Sequence, residues 1–583
     1  MLLIFLFLAN SDSTLVDTAI VYEIPTILEF QTPADSSGIP HTLETLFPGT
    51  YGYSLAHTVD AAPFTVFELG HWQPVVLSRR GQYPPSCRVY LNGHGLEETV
   101  FGYRNLAILP IQFLDRITIN RPYLSETGVC LHTKINRYDR PFSMISYTTG
   151  SHGTSQYHID FTRPITNDYG LFLSGVYGKS AGFEQNDSSE IGAAYLNMYS
   201  AGFPARLDIM FSLNDFGIPG IVGDTNFAIV ESRFLDACLL FGSPLHKAAI
   251  YHTRNDHAYH DSLQGSSVEI REQVIGAETK SYTDLGIAEV QYGVTGTYSD
   301  IESNCYGSHT VRSLTATAGV TRAFGRIRFS IASRAAFRDD YPLQLAPTFG
   351  FDAMIIDRTY LTASVSRHFR IPSIAETTIP AVPLPQAYYL IGVDTLKTEH
   401  FWSQEIGITG QFLTVMVYRQ DFTEQIIIEK DEDDVLMPKN SGSSQSAGIE
   451  FSFHPRVFLQ GTAGGKHSTF VHLTAGGNYL FDENQRILLP REYARASIGI
   501  HRETPRFGCS FTAAGLYIGE RTDFSGGTIE IVRSLSLAAS IRFVSLSFIF
   551  RMNNIFDERN PVLPEYPARP RSYFFSIHWE FQD

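Results

Sequence analysis

The sequence predicts an all-β transmembrane barrel of about 22 antiparallel strands with a small N-terminal α+β plug domain inside its lumen. Three observations carry that expectation. From Pro141 onward, segments alternate apolar and polar residues between clusters of Gly, Asn, Asp, Pro and Ser, and several outrun the usual length of a soluble strand. The last segment is an aromatic ribbon, with Tyr573, Phe575, Ile577, Trp579 and Phe581 on one face and Phe574, Ser576, His578 and Glu580 on the other. Residues before about Arg140 show no sustained alternation, and a lumen of that strand number is wide enough to need filling.

Composition agrees. The chain has 583 residues, more than a single soluble core usually organises, and a mean hydropathy near zero, at −0.06. A membrane barrel dilutes its apolar signal by facing every second residue into the lumen. After the N-terminus no run approaches the roughly 18 apolar residues a spanning helix needs. The net charge of −16 disfavours nucleic acid as a partner. Cys87, Cys130, Cys238, Cys305 and Cys509 have neither zinc-ligand spacing nor a disulfide framework, although one distant pair can still bridge. Nucleophile-elbow, P-loop and His-Glu-x-x-His motifs are missing, so an enzyme is not expected, and no cofactor is called for.

Taken in order, residues 1–13 read as a signal peptide: Leu2 to Ala9 is apolar and Asn10 to Ser13 offers small or polar residues for cleavage. The basic start of such a signal is missing, and a buried N-terminal strand is the competing reading. Residues 14–25 form a short extended segment rich in β-branched side chains and ended by Pro25. Residues 26–140 are the right size for a plug, with Thr42 to Phe47 helix-like ahead of Pro48-Gly49. Residues 141–583 form the barrel. Its cleanest strand is Arg326 to Arg338: Ile327, Phe329, Ile331, Ala335 and Phe337 share one face, and Arg326, Arg328, Ser330, Arg334 and Arg338 the other. Arginines avoid hydrocarbon, so that second face meets water or protein. Leu361, Ala363 and Val365 alternate with Thr362, Ser364 and Ser366, and Ile449, Phe451 and Phe453 with Glu450, Ser452 and His454.

Several motifs then resemble, in order, those of TonB-dependent outer-membrane receptors. In the plug half they are Leu43 to Gly49, Leu77-Ser78-Arg79-Arg80-Gly81, Arg88 to Gly93 with Asn92 where the family has aspartate, Leu109 to Ile119, and Gly128 to Ile135. In the barrel half they are Phe369-Arg370-Ile371-Pro372-Ser373-Ile374-Ala375-Glu376, Leu396 to Glu399, Ala447 to Glu450, and Asn553 to Asp557. Residues 120–127 depart from the family by being short and free of glycine, so the plug is expected to be shortened. The resemblance implies a monomeric receptor and transporter in the cell outer membrane, surrounded by lipid. It would take up a scarce small-molecule ligand, a siderophore, cobalamin, a metal chelate or an oligosaccharide, driven by a TonB-type energy-coupling protein of the inner membrane. Asp17, Thr18, Ala19, Ile20 and Val21 resemble the family's TonB box, which pairs with that partner by β-augmentation. The alternative is a passive, porin-like or surface-binding barrel with a degenerate plug.

Site residues remain double readings. Arg79, Arg80 and Arg116 either dock the plug to lumen carboxylates or meet an anionic ligand. Tyr83 and Tyr103 either contact ligand or pack inside the barrel. The acidic run Asp431, Glu432, Asp433, Asp434 is either a solvated loop or a set of hard oxygen ligands for calcium. His246, His252, His257 and His260 are either ordinary loop and lumen residues or a haem or metal site. If the last strand ends in the periplasm, parity places 371–399, 430–440 and 557–570 outside the cell.

Overall fold

The computed structural model describes the strands Thr42–Leu46 and Phe64–Glu68, then residues 72–120, 128–135 and 140–582, apart from single positions and short loop stretches such as 219–227, 262–265, 384–388, 431–434, 462–466 and 482–487. The signal and TonB-box expectations, residues 1–25, and the acidic run 431–434 lie outside the described residues.

Strands from Phe142–Gly150 to Ser572–Gln582 close a barrel in which every neighbour is antiparallel. One strand is interrupted. Ser443–Phe453 and Arg456–Gln460 pair with the same neighbour, Ser468–Leu480, in running order, Phe453 opposite Ala475 and Arg456 opposite His472. Pro455 between them has no N–H to give the ladder, which accounts for the break. Counted as one, they make a barrel of 22 strands. The terminal ribbon seals it: Phe574 lies opposite Gly150 and Gln582 opposite Phe142.

Alternation divides the barrel wall as the sequence expects. Ile331 and Trp579 are 59 % and 51 % exposed on the outer face, whereas Arg328 and Arg334 are buried toward the lumen. Arg328 is held there by Asp352 of the next strand at 2.9 Å. Connections at one end are short, as at 243–245, 325–326, 357–358 and 411–412, and those at the other include 371–398, 424–442 and 554–571. The three segments expected outside therefore share the long-loop end. Two of those loops join in a small sheet at that end, Val382–Pro383, Tyr389–Leu390, Val435–Asn440 and Ile426–Lys430. A capping box fixes the first of them: Ser373 Oγ accepts from Glu376 N while the Glu376 carboxylate accepts from Ser373 N. That reciprocal pair is what the Pro-Ser-x-x-Glu spacing encodes.

The plug carries a five-stranded mixed sheet in the order Thr42–Leu46, Leu114–Asn120, Gly128–Thr133, Arg88–Leu91, His94–Gly95. Thr42–Leu46 is a correction to the helix expected there. Pairing with Leu114–Asn120 supplies the backbone bonds of these five residues, and such tertiary pairing overrides a weak local helix preference. The other plug motifs form the elements expected of them. Pro110 leads the 3₁₀ turn Ile111–Phe113 into strand Leu114–Asn120, and Asn92 and Gly93 both take positive φ in the turn after Arg88–Leu91.

Candidate functional site

Three kinds of contact hold the plug against the wall. The first is apolar. Plug residues Val75, Leu91, Phe113, Leu114 and Leu131 share one buried cluster with Phe172, Val176, Tyr195, Met210 and Phe234 of the barrel. Phe113 and Tyr195 rings lie 5.8 Å apart, close enough to pack as an aromatic pair.

The second is ionic, and the arginines Arg79 and Arg80 form it. Strand Val75–Arg79 ends in a turn where Arg80 and Gly81 have φ of 54° and 65°. Glycine takes the positive φ of Gly81 without strain, and a Cβ there would also press on the end of the Leu480 side chain, 2.7 Å from Cδ1. The turn aims both guanidiniums at the wall. Arg79 binds Glu450 through two bonds of 2.8 Å, and Arg80 reaches Glu405 at 2.6 Å and Glu450 at 2.9 Å. Arg80 also lies over the Tyr418 ring, 4.4 Å from its centroid. Alternation places these carboxylates inward on strands Glu399–Gly410 and Ser443–Phe453, a pairing more than 300 residues apart in sequence.

The third is a set of buried polar bonds around the turn at Asn92. Its amide donates to Asp208 at 3.1 Å and to Thr133 Oγ1 at 2.9 Å, while its carbonyl accepts from Thr133 N. Asp208 also receives Arg206 and Tyr195. Two residues on, His94 meets Asp236 at 3.0 Å with the two side chains 0 % and 1 % exposed. Burial alone would lower the His94 pKa, but Asp236, helped by Cys238, holds it well above the usual imidazole value. Stability from a raised pKa is complete below the unfolded value and is lost as pH rises through the folded one. Seating of the plug should therefore weaken at alkaline pH, and His94→Gln should flatten that dependence. The urea midpoint of plug unfolding, followed against pH in both proteins, checks it.

The remaining candidates separate. Strand His246–Asp261 alternates, so His257 points inward while His246, His252 and His260 point outward, and they do not converge on one site. His257 instead bonds Glu98 of the plug at 3.2 Å, and Glu98 also holds Arg104 at 2.7 Å. Burial would raise the Glu98 pKa, but His257 and Arg104 bring it below the ordinary value. Among the described residues no group of three or more His, Cys, Asp or Glu is arranged to hold a metal. Tyr103 packs near Phe101, its ring 6.0 Å away, and burial beside Glu98 pushes its phenol up to about 12. Tyr83 is half-buried in the plug turn after Gly81. Arg116 lines a cavity of about 730 Å³ between plug and wall, together with Arg79, Arg80, Arg88 and the wall's Thr315 and Arg334. Alternation put Glu450 on the polar face of its strand without naming its partners, and Glu405, Asp208, Asp236 and Glu98 were not singled out from sequence. Each is an inward polar residue or a plug-loop acid, and only the closed register shows which of many such residues meet.

A wide antiparallel barrel, apolar outside and occupied by an N-terminal plug held through an apolar seam and buried ion pairs, is the architecture of an outer-membrane receptor. A family model for the β-barrel of TonB-dependent receptors matches residues 133–548, more than half the sequence, and the chain belongs to that family. It is accordingly an outer-membrane transport protein, in a family of receptors and transporters rather than enzymes. No curated protein matches the sequence. Solved structures do: the siderophore receptor PirA from Acinetobacter baumannii (11 % identity, TM-score 0.72, covering 93 % of this chain and 98 % of that one) and the FrpB iron transporter from Neisseria meningitidis (10 %, 0.71, 93 % and 99 %). A mutant of the ferric enterobactin receptor PfeA from Pseudomonas aeruginosa, in complex with enterobactin, is similar as well (12 %, 0.70, 93 % and 99 %). At such identities the likeness is one of fold.

Proposed function

We propose that this chain imports a scarce small-molecule ligand across the outer membrane, using force delivered by a TonB-type protein to the segment Asp17–Val21. The observation that carries this reading is the plug itself. It sits in the lumen behind an apolar seam and buried ion pairs, and a passive pore has no use for such an obstruction. Moving it costs several broken contacts, and the outer membrane has no nucleotide to meet that cost. Siderophores and iron, named for the neighbours PirA and FrpB, make iron chelates the first ligands to assay here.

Ile20→Pro tests the coupling, because proline removes a main-chain donor from the strand that would pair with the partner. Energised uptake should be abolished while surface binding persists. Uptake that survives both this change and collapse of the proton-motive force would establish the passive reading instead.

A further inference from the structure

The two ends of the barrel treat exposed arginine differently. Toward the long-loop end Arg254 binds Asp256 at 2.9 Å, and Arg271 lies 3.5 Å from Asp256 and 3.7 Å from Glu302. Each guanidinium there has a carboxylate beside it. At the short-turn end Arg322, Arg326, Arg358, Arg502 and Arg506 are all exposed, and none has a carboxylate partner among the described residues. Arg322 lies over the Phe324 ring, 4.6 Å from its centroid, and Arg358 donates to the Gln411 side-chain carbonyl at 3.4 Å. Both contacts leave the charge unmatched.

These arginines share one stretch of the rim. Connections 325–326, 357–358, 411–412, 461–467 and 504–506 follow one another at this end, and the arginines lie in or beside the first two and the last. Against them in the same stretch stand Asp357 and Glu503, while Arg328 and Asp352 cancel in their own pair. The strip is therefore basic in a chain whose net charge is −16. The same connections carry exposed apolar side chains: Phe324, Ile356, Phe412 and Leu459. Alternation also sets Arg322 between Val320 and Phe324 on the outer face, and Arg502 below Ile498 and Ile500, so both extend the lipid-facing surface. Apolar groups beside guanidiniums suit the boundary of a bilayer, where the first enter the acyl region and the second stay at headgroup level. Free phosphate would meet the charge and leave the apolar side chains in water. Short turns are the periplasmic ones in outer-membrane barrels, so the leaflet concerned is the periplasmic leaflet.

We propose that the rim from Arg322 to Arg506 is a binding site for anionic phospholipid of the periplasmic leaflet, its arginines taking headgroup phosphates while the neighbouring apolar side chains enter the acyl region. The site occupies one side of the barrel. Connection 201–204 has an exposed Phe203 but no charge, and 285–288 has exposed Leu285 and Ile287 flanked by Asp284 and Glu289. The proposal needs only the barrel in its membrane and is independent of the import reading.

Quenching by brominated lipid tests it in the full chain reconstituted into vesicles. Phe412→Trp places a reporter next to Gln411, the partner of Arg358, and Phe203→Trp places one at the uncharged connection. In both, the lipid-facing Trp402 and Trp579 are replaced by Phe, while Trp72 stays buried in the plug. The vesicles are phosphatidylcholine with a minor share of phosphatidylglycerol, and one lipid or the other carries the bromine. The reporter at 412 should show about a fivefold preference for phosphatidylglycerol, and the one at 203 none. High salt should shrink the preference. Arg326→Gln together with Arg358→Gln should remove most of it, and lysine at the same two positions should keep it. Equal quenching by the two lipids at 412, the same preference at both reporters, or a preference that survives the glutamine changes overturns the site.

Discussion

Glu450→Gln should loosen the plug by about 3 kcal/mol or more, the usual cost of removing one partner from a buried ion pair. Glu450 is shared: it accepts both 2.8 Å bonds from Arg79 and one of 2.9 Å from Arg80. Burial by itself would lower the Arg80 pKa, and Glu405 with Glu450 holds it well above the ordinary value, so Arg80 stays charged. Neutral glutamine leaves two guanidiniums to the single carboxylate of Glu405. Hydrogen exchange of strand Val75–Arg79 should accelerate by about a hundredfold, and the plug should unfold at lower urea with the barrel intact. Exchange at the parental rate would show that the cluster aligns the plug without stabilising it. Replacing all four side chains by apolar residues of matching volume is expected to restore stability, since such clusters seldom surpass a packed apolar core.

Asn92→Asp should cost a similar amount, about 3 kcal/mol near neutral pH. The family-like residue at this turn is aspartate, and here it would face Asp208 across the present 3.1 Å bond. Two buried carboxylates at that distance cannot both ionise, and the amide donor to Asp208 is lost as well. Asp208→Asn in the same chain should return at least half of the loss, because the new amide can donate where Asn92 did. A double-mutant cycle on the plug's urea midpoint measures the coupling. Additive losses would mean that Arg206, already bound to Asp208 at 2.8 Å, absorbs the extra charge.

Period-two alternation made the wall legible. Phe329 and Ile331 against Arg328 and Ser330 define inside and outside without further help, and the same reading at Glu450 and Ser452 placed a functional carboxylate on the lumen face before its partner was known. Turn motifs were legible for a different reason: Gly81 and Asn92-Gly93 of the plug take positive φ, and Ser373 with Glu376 closes a capping box in a barrel loop. Thr42–Leu46 misled because its pairing with Leu114–Asn120 is nonlocal, and tertiary pairing overrides weak local preference. The histidine group was left with two readings because proximity in sequence does not tell which face a residue takes. Neighbours along a strand point to opposite faces, so His257 found Glu98 while His246, His252 and His260 turned away. Which carboxylate an arginine meets depends on registers accumulated over the whole circumference, and no short window of sequence contains that sum.

The seam between the first and last strands also constrains how the molecule is put together. Thr148 and Ser576 share a 2.7 Å hydroxyl bond across it, 428 residues apart. Contacts so remote in sequence carry the largest loop-closure cost, so this seam is expected to form late. The plug precedes all of the barrel in the chain and is wider than any gap between paired strands. Threading a folded plug into a finished cylinder is unnecessary under this order of events. Strands that curl around it would enclose it when Phe142–Gly150 finally pairs with Ser572–Gln582.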